Sequence, residues 1–225
     1  MGRGTAVADT PALRLRGIRK AFPGLVAVRD VDLEVAPGEV RALVGENGAG
    51  KSTLIKIIAG ALAPTAGTVE IAGTELTRAR PALAARLGVA VIHQDRQIGA
   101  ELSVSENVLL GRLPRKLPGV VDWPEAHRQT AALLARVGLD VDPRTPAKEL
   151  SVGEHQALEI ARALGSDARI VIMDEPTASL SGREVLRLFE VIRALRSEGQ
   201  TVIYISHHLE EVFQLADTVT VLRDG

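Results

Sequence analysis

Gly45-Glu46-Asn47-Gly48-Ala49-Gly50-Lys51-Ser52-Thr53 carries residue types and a spacing suited to holding a polyphosphate. Its glycines let the backbone curl so that successive N–H groups point inward, and a helix starting there adds positive potential. Lys51 would reach the terminal phosphates, and the Ser52 hydroxyl would complete a Mg²⁺ shell otherwise made of phosphate oxygens and water. A second candidate is Asp174-Glu175, which follows the apolar run Ile170-Val171-Ile172-Met173. One carboxylate there can hold Mg²⁺ or its waters, and the next can orient or deprotonate an attacking water. Two acids at a strand end can also be solvated turn residues or a helix cap. A phosphate loop upstream favours the chemical reading. Gln94 and His207 each follow a strand, and each alone says little. Ser151-Val152-Gly153-Glu154, read alone, is a helix capping box.

The elements that must position these residues follow from periodicity. Val40 to Val44 reads as a buried strand running into the glycine-rich loop, and Leu54 to Ala59 as an apolar helix leaving it. Upstream, Leu13 to Ile18 alternates like an edge strand, Phe22-Pro23-Gly24 turns, and Val26 to Val35 alternates again, so this opening is antiparallel in character. Val89 to Ile92, Ile170 to Met173, Thr201 to Ile205 and Thr218 to Leu222 read as further strands of an α/β pattern, with ligands expected at their C-terminal ends. Between about 96 and 165 the pattern turns helical. Ser103 to Glu106 and Asp122 to Glu125 have capping spacing, and a Pro/Gly-rich loop lies between them (Pro114, Pro118, Gly119).

Composition narrows the function classes. At 225 residues the chain can bury one large core, or one core plus a small lobe. A formal net charge of −1 argues against a broad electrostatic grip on nucleic acid, and 2% aromatic residues argue against base-stacking platforms. Without cysteine there are no disulfides or thiolate metal sites, which fits a reducing cytoplasm. No apolar run approaches the ~20 residues a membrane helix needs, and Met1 to Thr10 has no signal-peptide core.

Taken in order, the phosphate loop, Gln94, Leu150 to Glu154, Ile170 to Glu175 and His207 resemble the motifs of one family, the ATP-binding subunits of ABC transporters. The resemblance runs from Leu13 to Gly225. It implies an α/β P-loop NTPase fold: a RecA-like, mainly parallel sheet with an N-terminal antiparallel β subdomain and an inserted α-helical subdomain. The expected layout is one domain over 1–225. Within it, 1–11 is a tail, 12–95 and 166–225 form the ATP-binding core lobe, and 96–165 forms the helical lobe with the signature motif. The resemblance also implies roles. Phe22 would stack on adenine, with packing at an edge strand as the alternative. Gln94 would touch Mg²⁺ or the attacking water, Asp174 would serve the metal, Glu175 would be the catalytic base, and His207 would hold the γ-phosphate and the water. Ser151 and Gly153 would contact a γ-phosphate bound on a second ATP-binding domain, so that ATP lies between two domains and hydrolysis releases them.

Lys20 to Gly24, Leu150 to Glu154, Glu175 to Leu180 and Tyr204 to Val212 are similar to the importers of simple sugars within that family. Such ATPases carry two of these domains in one polypeptide, and this chain stops at Gly225, where a first domain would be finishing. The partner domain would then be a second copy of this chain or a C-terminal half. Permease subunits would be direct partners, a substrate-binding protein an indirect one, and the location the cytoplasmic face of the membrane. Val152 replaces the first glycine of the signature, as in sugar-type relatives, and Ser181 stands where many members have Asp. The alternatives are nucleoside or other small-solute import, a soluble ABC ATPase outside transport, and a non-hydrolysing regulatory module.

Overall fold

The computed structural model describes residues 10–93 and 98–225. Leu13–Phe22 (β1) and Leu25–Val35 (β2) form an antiparallel pair, and Val40–Val44 (β3) runs into the glycine loop, from which Lys51–Ile58 (α1) emerges. Ala66–Ile71 (β4) and Thr74–Glu75 (β5) follow, then Pro81–Arg86 (α2) and Val89–Ile92 (β6). Next come Val104–Val108 (α3), Arg115–Leu117 (β7), Val120–Val121 (β8), Trp123–Arg136 (α4) and Val152–Leu164 (α5). Ile170–Asp174 (β9), Gly182–Ser197 (α6), Thr201–Ile205 (β10), Leu209–Leu215 (α7) and Thr218–Val221 (β11) complete the order.

A parallel sheet of order β11-β3-β10-β9-β6 forms the centre. Its inner strands are apolar almost throughout because both faces are covered, and every residue of β10 is buried. The strand period of two divides the core into two layers. Val171, Met173, Val202 and Tyr204 face a layer with Leu158, Leu164, Phe189 and Ile192 from the helices. Ile170, Ile172, Ile203 and Ile205 face the opposite layer, built from Leu54, Ile57 and Ile58 of α1 and Leu13, Leu15, Val35 and Val69 of the antiparallel sheet. The sheet is therefore clamped on both sides just where its C-terminal strand ends carry the candidate residues.

Three sequence expectations change. The strand at Leu13 is not an edge: β1 lies inside a sheet of order β2-β1-β4-β5 and pairs on both sides. Alternation reports one buried face, and it does not report how many neighbours a strand has. The Pro/Gly-rich stretch is not wholly loop, since β7 and β8 pair across Pro118-Gly119. Proline pre-sets φ at one turn position and Gly119 (φ 82°) supplies the next. Finally, α1 starts at Lys51 rather than Leu54, so Lys51, Ser52 and Thr53 lie in its first turn.

Candidate functional site

β3 delivers the chain to a loop that only glycine permits. A Cβ at Gly45 would sit 2.3 Å from the Leu222 carbonyl oxygen, and one at Gly50 would sit 2.4 Å from that of Ala27. Gly48 and Gly50 have φ of 84° and 104°, in the left-handed region. Gly50 caps α1 without any side-chain bond, and the first turn carries no acid. The helix start is therefore left with its orphan donors and positive end. Lys51 is buried (8% exposed), and its Nζ donates to the carbonyls of Gly45 (2.6 Å) and Glu46 (3.0 Å). This fixes the ammonium over the loop.

The same cleft, about 630 Å³, brings Asn47, Ser52, Asp174 and Glu175 together with Phe22 at its rim. Phe22 is 41% exposed, and Lys20 Nζ lies over its ring, 5.2 Å from the centroid. Burial raises the Asp174 pKa and the Glu175 charge adds to this, against the opposing influence of His93, Lys51 and Lys56. Glu175 adopts φ 48°, an uncommon conformation for a residue with a side chain, and its N–H donates to the Ile205 carbonyl at 3.0 Å. That turn aims Glu175 Oε1 at His207 Nδ1, 3.2 Å away across the β9 and β10 strand ends. Gln94 lies outside the described residues.

Ser151 and Gly153 stand apart from this cleft. They line a second cavity of about 160 Å³ with Leu180, Glu184 and Arg187. Ser151 caps α5 and accepts from Glu154 N–H, while Glu154 accepts from the Ser151 N–H at 2.7 Å. Gly153 lies against Glu184, where a Cβ would meet Oε1 at 2.1 Å unless that flexible side chain turned away. Ser181 holds that carboxylate through its hydroxyl (2.6 Å) and N–H (2.7 Å), lowering the Glu184 pKa.

Sequence reasoning overlooked a third set. Glu211 on α7 accepts from Tyr204 Oη (2.7 Å), Ser206 Oγ (2.8 Å) and Thr177 Oγ1 (3.1 Å), all at one carboxylate oxygen. The available signal was a tyrosine in the otherwise apolar run Thr201 to Ile205, since a buried hydroxyl needs a partner.

A curled glycine loop at a helix start, with acids at the end of another strand of the same parallel sheet, defines a phosphate-binding α/β protein. The family model described as ABC transporter matches residues 28–178, and the chain belongs to that family. A ribose import ATP-binding protein of Streptomyces coelicolor is 51% identical over 217 residues, covering 96% of this chain and 43% of that protein. An arabinose import ATP-binding protein of Escherichia coli O157:H7 is 48% identical over 217 residues, with the same two coverages. The chain thus spans under half the length of these curated relatives. Among solved structures, a nucleotide-free ATP-binding cassette from an ABC transporter matches with TM-score 0.83 and 30% identity, covering 96% of this chain and 88% of that one. An ATP-binding cassette in its ADP conformation matches with TM-score 0.82 and 28% identity, over the same shares.

Proposed function

We propose that this chain is an ATP-hydrolysing domain that powers import of a monosaccharide through a membrane ABC transporter. The observation that carries the reading is the convergence of the Lys51 loop, Asp174 and the Glu175–His207 pair on one cleft. The ribose and arabinose import relatives support a pentose-like cargo. No helix among the described residues is long and apolar enough to cross a membrane, so the reading gives permease subunits the transport path and a substrate-binding protein the selection of cargo. The proposed layout is a core lobe of residues 12–95 and 166–225 and a helical lobe of 96–165.

Phe22 stacks on adenine, and the N–H groups of residues 45–53 with the Lys51 ammonium hold the phosphates. Ser52 hydroxyl and Asp174 carboxylate are hard oxygen donors in one cleft, a set that fits Mg²⁺, with Gln94 completing it. That ion would neutralise charge on the β- and γ-phosphates. Glu175 takes a proton from water as the water oxygen bonds to the γ-phosphorus, and the bond to ADP breaks with its electron pair leaving on the ADP oxygen. His207 orients the γ-phosphate and the water beside Glu175. Ser151 and Gly153 complete the cleft of a second ATP-binding domain, a second copy of this chain or a C-terminal half.

The test is ATP turnover against protein concentration with Mg²⁺ present. A rate per molecule that climbs with concentration supports pairing of this chain with itself. A flat, near-zero rate with ATP bound assigns the partner role to another domain. Failure to bind ATP at all overturns the reading.

A further inference from the structure

We propose that Glu211 is a positioning residue that holds the Glu175–His207 pair in its reactive geometry, an inference that rests on the catalytic reading above. Glu175 and His207 follow β9 and β10, whose pairing brings the two strand ends together but leaves the direction of each side chain to the loops that carry them. The Glu211 carboxylate oxygen joins those loops. Thr177 stands two residues after Glu175, Ser206 directly before His207, and Tyr204 inside β10, and all three hydroxyls donate to it. Ser206 Oγ also accepts from the His208 N–H at 3.0 Å, bracketing His207 on its other side.

The donors are buried, with Thr177, Tyr204 and Ser206 exposed by 7%, 0% and 1%. A hydroxyl so placed cannot exchange its partner for water without opening the fold, and bonds to an ionised carboxylate are among the stronger ones. Three donors on one oxygen also set direction as well as distance. The left-handed turn at Glu175 (φ 48°) is therefore held from two sides, by its own N–H on the Ile205 carbonyl and by Thr177 on Glu211. A strained turn persists only where its surroundings over-determine it. Glu211 is not among the described residues that line the cleft, and it reaches the reacting groups through this clamp.

The experiment measures ATP turnover and nucleotide affinity of the intact chain for Glu211→Leu, Glu211→Gln and Tyr204→Phe, each also with His207→Ala. Small misplacement of reacting groups costs roughly 10²-fold in rate. The expected result is a 10- to 100-fold fall in kcat for Glu211→Leu, roughly, with KM within about twofold. Glu211→Gln keeps a carbonyl acceptor and should recover most of the loss, while Tyr204→Phe, which preserves packing, should lose about threefold, in line with one weakened bond. In the His207→Ala background the Glu211→Leu effect should shrink to the part that Thr177 carries to Glu175, since coupled residues are not additive. The same fold-loss in both backgrounds, or a loss that appears in KM, would overturn the clamp. Should Glu211→Leu fail to fold, Tyr204→Phe decides by the same non-additivity. Unchanged turnover in His207→Ala alone would instead strike at the catalytic reading, leaving the two failures distinct.

Discussion

Two helix starts in this molecule do opposite things with the same physics. Every α-helix begins with N–H groups that lack intrahelical partners. At α1 they are left open, because Gly50 offers no side chain and the first turn no acid. At α5 the chain closes them itself, with Ser151 accepting from Glu154 and the Glu154 carboxylate accepting from Ser151. An open start with a lysine fixed above it is an anion site within one chain. A closed start already holds its own carboxylate. Ser151 is exposed and lies outside the cleft that holds the Lys51 loop. The contrast is the one the proposed function calls on, with the open start as the phosphate cradle of this chain and the closed start as the surface offered to a second domain.

The largest break comes from the acid beside the open start. Glu175→Gln should lower ATP turnover by about 10²- to 10⁴-fold, the usual contribution of a general base, with nucleotide affinity retained. Single-turnover kinetics with labelled ATP would check this, and turnover at the parent rate would remove Glu175 from its role. Gly50→Ala should act next most strongly. Its Cβ would lie 2.4 Å from the Ala27 oxygen at φ 104°, so the loop must move or the residue must bear a left-handed conformation costing about 1–2 kcal/mol. The expected readings are a lower melting temperature and weaker nucleotide binding by calorimetry. Unchanged binding would show that the cradle does not need this curl.

What the sequence discloses and hides follows the same division. The phosphate loop was legible because its constraint is local: the strand, glycines, lysine and helix are contiguous, and the clashes awaiting a Cβ at Gly45 and Gly50 explain why those positions are glycine. The parallel core was legible because strands covered on both faces are uninterrupted apolar runs. Placement of β1 between β2 and β4 was hidden, since a strand's second neighbour arrives from residues 66–71, far along the chain. The short pair β7 and β8 was hidden because two or three residues carry too little alternation to register. Glu211 was hidden for a related reason. Its three donors come from Thr177, Tyr204 and Ser206 on different elements, and no spacing in the chain announces such a meeting. Gly153 shows the opposite risk. Its motif position suggested a phosphate role, while within this chain it lies against the Glu184 carboxylate, a neighbour no motif announces.

The finest test pairs the closed start of α5 with a structural twin. Ser103 caps α3 with the same reciprocal bonds to Glu106, at 2.7 Å from its N–H and 3.2 Å to its hydroxyl, and it lines neither cavity described above. Replacing either serine by alanine should cost about 1 kcal/mol, the ordinary loss of an N-cap. Thermal unfolding should therefore report similar falls for Ser103→Ala and Ser151→Ala. Turnover should separate them, because only Ser151 is assigned a phosphate on a partner domain. Ser103→Ala should keep its rate, and Ser151→Ala should lose the concentration dependence of its rate. Acid offers a control on the cap itself. The Ser103 hydroxyl, then its N–H, hold the Glu106 pKa below 4.5 against the opposing effect of burial. A depressed folded pKa contributes stability that is present above the unfolded value and lost as pH falls through the folded one. The gap in melting temperature between the parent and Ser103→Ala should accordingly be full above pH 4.5 and narrow below it. A gap that stayed constant across that window would mean the hydroxyl, not the carboxylate it holds, supplies the cap's stability.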